Sequence, residues 1–347
     1  MTSTAGRLIF ACCVLMTGGA SAAEPSDSPI RGAGATFPAP LYGAWAEAYA
    51  ARSGVAVVYD AVGSGRGIER IRDRAVDFGA SDLPLTPQEL AAAGLTQFPA
   101  VIGGVVPVIF IPGIRSGELR MNGAVLADIY LGRISKWDDA AIAALNAGIA
   151  LPHANITVVH RSDPSGSSHL WSSYLSQSSE RWRAQVGASL TPQWPTGVGG
   201  VGNEGVAAYV QRTRFAIGYV EYYFAREHKL SDVSLYNRSG FYVRAGGVSF
   251  AAAAAAAHWG NLSSQEQLSP DSPGMQSWPV TGASFILVSR RPSELARTQA
   301  VLRFFDWSFH GGESRLRDLG YAPLPQPALD EFAALRKTIL GADSPPQ

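Results

Sequence analysis

"VIGGVVPVIFIPG", residues 101–113, decides the fold of this chain. The run is apolar, rich in Val and Ile, and broken by Pro107. Its length and β-branched content predict a strand long enough to cross from one half of a molecule to the other. On both sides of it, short strand-like and helix-like segments alternate. "VAVVYDAV" (55–62), "VDFGASDLPL" (76–85), "ITVVHR" (156–161), "FAIGYV" (215–220) and "FILVSRR" (285–291) read as strands. Leu41–Ala50, Gly166–Leu175, Glu204–Arg212 and Glu294–Trp307 read as helices, the first with Leu41, Trp45 and Tyr49 at a spacing of four. The alanine run 251–257 reads as a further helical segment. Apolar strands separated by amphipathic helices imply an α/β protein with mainly parallel sheets. In such sheets ligands bind beyond the carboxyl ends of the strands, where the turns into helices lie.

The 347 residues are 46% hydrophobic and 16% charged, and 28 basic residues balance 28 acidic ones. That length suits roughly two domains with a sizeable core. A net charge of zero offers nothing to nucleic acid or to an anionic membrane surface, so neither is expected as a partner. Residues 1–23 read as a signal peptide: Arg7, the short apolar stretch Leu8–Met16, then small residues through Ala22 and Ala23. The stretch falls short of the ~20 apolar residues a membrane span needs. A lipid anchor at Cys12 would leave an apolar core of only a few residues ahead of it. Cleavage near Ala22 or Ala23 would remove Cys12 and Cys13, the two cysteines of the chain, leaving an exported protein without thiol or disulfide. The tail "GADSPPQ" is expected to fray.

Four turns carry the chemistry. "RGAGATFPAPLYGAWAEAYA" (31–50) runs as flexible Gly and Ala through Thr36 and Phe37 into a helix near Pro40. "DAVGSGRGIERI" (60–71) sets Ser64 among glycines before a helix. "DFGASDLPL" ends a strand with Ser81 and Asp82. "VVHRSDPSGSSHLWSSYL" (158–175) gives Arg161, Asp163, Ser165, Gly166 and Ser167, with Ser165 a natural N-cap. Helix N-termini carry unsatisfied N–H groups and a partial positive charge, so they suit anions. Arg161 adds a guanidinium fork matched to a tetrahedral oxyanion, and Asp163 can hold that fork. Asp82 narrows the choice. A carboxylate repels an anion unless that anion carries a proton to donate; phosphate does near neutral pH and sulfate does not.

"GAGATFPAPLY", "DFGASDLPL", "QFPAVIGGVVPV", "DIYLGRISKWDD", "RSDPSGSS", "GGVGNEGVAAYVQ", "AIGYVEY" and "VLRFFDWSF" together resemble the periplasmic phosphate-binding proteins of high-affinity ABC-type phosphate importers. The resemblance runs from about Arg31 to about Leu324. It implies a class II periplasmic binding protein fold, with two α/β domains joined by crossover strands and a ligand cleft between them. The expected division is 24–106 and 281–347 for one domain and 107–280 for the other. Carried over by motif, the phosphate ligands fall on Thr36, Phe37 (through its backbone N–H), Ser64, Asp82, Arg161, Ser165, Gly166 and Ser167, with Asp163 as the partner of Arg161. The resemblance also implies a monomer in the periplasm that hands inorganic phosphate to a permease and an ATPase, with no cofactor, metal or catalytic residue. Three positions depart from the family pattern. Ser167 keeps the hydroxyl of the usual Thr, Pro164 suits the approach to a helix, and Arg66 is expected to face solvent.

Other readings have less behind them. Gly197, Gly199 and Gly202 match G-x-G-x-x-G, but "TPQWPT" ahead of them is no strand, so they read as a structural loop and not as a dinucleotide site. His153, His160, His169, His228, His258 and His310 lack metal-ligand spacing, although His160 beside Arg161 could tune the field there. A phosphate-ester hydrolase would need a nucleophile–base pair, a metal cluster or a G-x-S-x-G elbow, none of which the sequence offers. Phosphate sensing or surface adhesion on the same fold is the remaining alternative.

Overall fold

The computed structural model describes residues 28–257, 259 and 271–340. The signal-peptide reading with Cys12 and Cys13, His258 and the tail "GADSPPQ" fall outside these residues. The described chain opens with three strand–helix units: β1 (Ile30–Gly34) and α1 (Ala39–Ser53), β2 (Val57–Ala61) and α2 (Ser64–Arg72), β3 (Phe78–Ser81) and α3 (Pro87–Ala93). Then comes the long strand β4 (Leu95–Ile109), followed by β5 (Arg120–Met121), α4 (Gly123–Tyr130) and α5 (Ala140–Leu145). Three more units follow: β6 (Thr157–Arg161) with α6 (Gly166–Ser178) and α7 (Glu180–Gln185), β7 (Val198–Gly200) with α8 (Gly202–Arg212), and β8 (Ala216–Glu221) with α9 (Tyr222–Glu227). After β9 (Ser231–Asp232), β10 (Ser234–Tyr236), β11 (Tyr242–Val243) and α10 (Gly247–Ala255), the chain returns through β12 (Thr281–Ser289) to α11 (Leu295–Gly311), α12 (Glu313–Asp318) and α13 (Gln326–Leu340).

The main sheet has the order β2-β1-β3-β12-β4-β8-β6-β7, with β9 also on β4. β1 pairs parallel with β2 and β3, and β6 pairs parallel with β7 and β8. The two long strands between these sets are antiparallel to their neighbours, so the sheet is mixed and not mainly parallel. The reason is directional: β4 carries the chain from the first half to the second, and β12 brings it back. β4 is the crossover expected from 101–113, displaced toward the N-terminus. Its residues 95–104 pair with β12 and its residues 105–109 with β8. The early part is hidden in the sequence by Pro99, which lacks an N–H for the ladder. Pro99 lies where the β12 register shifts between Ser284 and Phe285, a bulge that accommodates the missing donor.

The glycine-rich "RGAG" is not a flexible run. It is most of β1, a central strand of the first half. Gly32 is there for packing: a Cβ at that position would overlap the ring of Phe78 on β3. Aromatic rings fill the first half. Phe305 of α11 lies within 5.7 Å, centroid to centroid, of Tyr42, Phe78 and Phe98. Truncating such a hub to Ala costs about 3–5 kcal/mol. In the second half Tyr219 of β8 stacks on Trp171 of α6 at 5.3 Å and packs beside Tyr130 and Trp194. These two clusters fix the strand ends on which the polar residues stand.

Candidate anion-binding site

The polar residues singled out in the sequence all stand just beyond strand carboxyl ends. Thr36 and Phe37 follow β1, Ser64 follows β2 and Asp82 follows β3. Arg161 closes β6, and Ser165 is the N-cap of α6. Hydrogen bonds connect the two halves at this point. Ser64 Oγ accepts the N–H of Asp82 at 3.2 Å from its own half and the N–H of Gly166 at 3.2 Å from the other. Its proton points to Asp82 Oδ2 at 3.5 Å. Gly65 N–H donates to the carbonyl of Pro164 at 3.3 Å. Position 166 admits only glycine. A Cβ there would lie 2.6 Å from Ser64 Oγ and would overlap Asp82.

Arg161 is buried and held from two sides. Its Nε donates to Asp163 Oδ1 at 2.8 Å, its Nη2 donates to Asp163 Oδ2, and its backbone N–H donates to Tyr219 Oη at 3.1 Å. The Tyr219 hydroxyl is itself bonded to Ser168 Oγ at 2.7 Å, so the aromatic cluster of the second half holds the backbone from which the guanidinium projects. Of five guanidinium N–H groups two go to Asp163, and three remain for another acceptor. Arg161 is buried and Asp163 half-buried, so this is not a surface ion pair. Burial opposes ionisation of Asp163, but the Arg161 hydrogen bonds outweigh it and hold the carboxyl below its usual range. Ser165 Oγ accepts the N–H of Ser168 at 3.1 Å, which leaves its proton free to donate elsewhere.

Asp82 is less well satisfied. Burial pushes its carboxyl up to about 7, against lowering contributions from Ser284, Arg161 and Ser64. Asp82 Oδ1, Ser167 Oγ and Ser284 Oγ are buried and have no hydrogen-bond partner of normal geometry among the described residues. Buried polar atoms in native proteins are paired, so such atoms beside a guanidinium and several helix N-termini point to a polar ligand.

Several contributors escape a reading of the sequence. The loop expected at Gly197–Gly202 is strand β7 followed by helix α8. The strand spans only three residues and carries two glycines, so no β pattern marks it. Its helix brings a further N-terminus to the cleft. Gly202 N–H donates to Asp163 Oδ1 at 3.0 Å, and Asn203 bonds Thr36 Oγ1. Ser284 is turned toward Asp82 at the β12 bulge, a feature set by strand pairing and not by local sequence. Glu221 and Tyr321 lie beneath Phe37: Tyr321 Oη donates to the Phe37 carbonyl at 2.7 Å and meets Glu221 Oε2 at 3.2 Å. His160 packs its ring on Trp194 at 5.0 Å with Nδ1 on the Arg161 carbonyl, and burial lowers its basicity. Arg66 is exposed, as expected.

Comparison with known proteins agrees with this architecture. Residues 19–310 match the family model of a PBP superfamily domain. The phosphate-binding protein PstS of Pasteurella multocida (strain Pm70) is 47% identical over 309 residues, covering 89% of this chain and 90% of that protein. The chain belongs to the PstS family of phosphate-binding proteins. Among solved structures, a high-affinity periplasmic phosphate-binding protein with bound phosphate superposes with a TM-score of 0.69 at 18% identity, over 92% of this chain and 100% of that one. An ABC-type phosphate transport receptor from Vibrio cholerae gives 0.54 at 17% identity, over 85% and 100%. Likeness at these identities speaks for the fold, and this chain has the mixed α/β binding-protein fold, its long crossover strands β4 and β12 included.

Proposed function

We propose that this chain captures inorganic phosphate in the periplasm and delivers it to the inner-membrane permease and ATPase subunits of an ABC importer. One observation carries the reading. Asp82 Oδ1 and Ser167 Oγ, buried and without partners among the described residues, share a cleft with a guanidinium that has N–H donors to spare. Dibasic phosphate fits that set. Its single proton goes to the Asp82 carboxylate. Its other oxygens accept from Arg161, from the hydroxyls of Thr36, Ser64, Ser165 and Ser167, and from the backbone N–H groups of Phe37 and Gly166, with the Ser64 proton turning from Asp82 and the Gly166 N–H from Ser64 to the ligand. Phosphate-binding relatives support the same ligand, and the Vibrio phosphate transport receptor supports the transport role. We place the chain in the periplasm after removal of residues 1–23, and among the described residues no helix is long and apolar enough to cross a membrane. We read residues 24–106 and 281–347 as one domain and 107–280 as the other, working as a monomer. The change of β4 partners between Gly104 and Val105 supports that division. Isothermal titration of the mature protein with phosphate tests the reading. A dissociation constant of about a micromolar or tighter, near −8 kcal/mol, is expected. A millimolar constant would contradict it.

A further inference from the structure

We propose that Asn203 is a positioning residue that fixes the Thr36 hydroxyl as a hydrogen-bond donor to the ligand, and does so only when the two halves of the cleft meet. The inference rests on the phosphate reading of the site and adds a residue from outside the binding set.

Asn203 is the second residue of α8 and is fully buried. It belongs with the half that carries Arg161, whereas Thr36 follows β1 in the other half. Chemistry settles which way its amide faces. The backbone N–H of Glu221 lies 3.0 Å from one amide atom of Asn203, and a backbone N–H can only donate. That atom is therefore the oxygen, and the NH₂ group is the one turned to Thr36 Oγ1, at 2.9 Å. The backbone N–H of Asn203 points to the same oxygen at 3.4 Å. Two donors thus occupy the lone pairs of Thr36 Oγ1. A hydroxyl has one proton, and with its oxygen accepting from Asn203 that proton must turn away from α8. Thr36 Oγ1 has no other partner among the described residues, so its proton is available to an anion oxygen.

The amide is anchored where the halves join. Glu221 is the last residue of β8 and pairs with Val105, the residue at which β4 changes partners. The Glu221 side chain meets Tyr321, which holds the Phe37 carbonyl. One chain of contacts therefore ties the two residues at the start of α1 to the crossover strand. When the halves separate, Thr36 loses Asn203 and its hydroxyl rotates freely. When they close, the hydroxyl is set as a donor. Ligand recognition by Thr36 is in this way conditional on closure.

The test is a double-mutant cycle on phosphate affinity in the mature protein, using wild type, Asn203→Ala, Thr36→Val and the double variant, with ligand-free melting temperature measured for each. Thr36→Val and Asn203→Ala are each expected to weaken binding tenfold or more. In the Thr36→Val background, Asn203→Ala should cost less than about threefold, because nothing remains for Asn203 to orient. A general structural role would instead lower the melting temperature equally in both backgrounds and give losses that multiply. Asn203→Asp serves if Asn203→Ala does not fold. It keeps the acceptor for Glu221 but presents an acceptor to Thr36, which then turns its proton away from the ligand. Its loss should be at least tenfold greater with Thr at 36 than in the Thr36→Val background. Multiplying losses in a wild type that binds phosphate overturn the positioning role alone. A wild type that does not bind phosphate overturns the functional reading, and the positioning role with it.

Discussion

Arg161 and Asp82 are each 3% exposed and face one cleft with opposite charges, yet their surroundings differ. Arg161 is held in place by its own half, with N–H donors left over: a bidentate carboxylate, a tyrosine hydroxyl on its backbone and an aromatic cluster behind. Asp82 has a long contact to Ser64, an oxygen without a partner and a carboxyl pushed up to about 7 by burial. The comparison separates two tasks. A pre-paired cation supplies strength to an oxyanion without cost on closure, since its geometry is already set. An unsatisfied carboxylate supplies choice, because only a ligand that brings a proton completes it.

The largest effect is expected from changing the carboxylate. A site built around a ligand hydrogen-bond donor can reject an analogue lacking it by roughly 10⁴–10⁵. Asp82→Asn removes the like charge and adds a donor, so most of the preference for phosphate over sulfate should vanish, chiefly through gained sulfate affinity. Competition titration of the variant at fixed pH and ionic strength measures this. An unchanged ratio would mean that Asp82 does not choose the ligand.

Breaking the satisfied side should cost strength and not choice. Arg161→Ala strands Asp163 in a half-buried position and removes charge-assisted bonds to the ligand, a loss of about 3–5 kcal/mol of binding. Both anions should weaken together. A folded Arg161→Ala protein of near-normal affinity would remove Arg161 from the site.

A smaller effect follows from the Asp82 carboxyl in the ligand-free state. Its value is raised from the usual carboxylate range, about 4, to about 7 in the closed arrangement, so closure takes up a proton. Closure without ligand is then favoured at acid pH, and the advantage is lost as pH rises from about 4 through 7. Burial raises Glu221 as well and acts in the same direction. Ligand-free protein should have a smaller radius of gyration at pH 5 than at pH 8, and Asp82→Asn should shrink the difference. Equal radii at both pH values in wild type would contradict this. The smallest effect belongs to Arg66, which is exposed at the start of α2. Arg66→Ala should change stability by no more than about 0.5 kcal/mol and phosphate affinity by no more than about twofold.

The sequence reveals the two sides of this comparison unequally. The α6 turn is legible because a serine cap, an arginine fork and a following amphipathic run all lie within a few residues. The crossover strand is legible from its Val and Ile content, although Pro99 hides its beginning. β1 and β7 are hidden for the opposite reason, being strands made largely of glycine, where close packing and not β-branching sets the conformation. Asn203 and Ser284 owe their roles to partners far along the chain, Thr36 and Asp82. No local pattern shows that an amide 167 residues away orients a hydroxyl. Mixed strand direction is likewise a consequence of topology: only the return of the chain through β12 makes the crossover pair antiparallel.

The central claim is that the cleft closes on an anion that carries its own proton. Displacement of phosphate by sulfate from wild-type protein at matched ionic strength and pH 9, where a carboxyl with a value of about 7 is ionised, tests it most directly. The account predicts that sulfate binds at least about a hundredfold more weakly than phosphate there, about tenfold for each pH unit above that value. Sulfate affinity within tenfold of phosphate would contradict it, because Asp82 would then face a proton-free dianion at little cost.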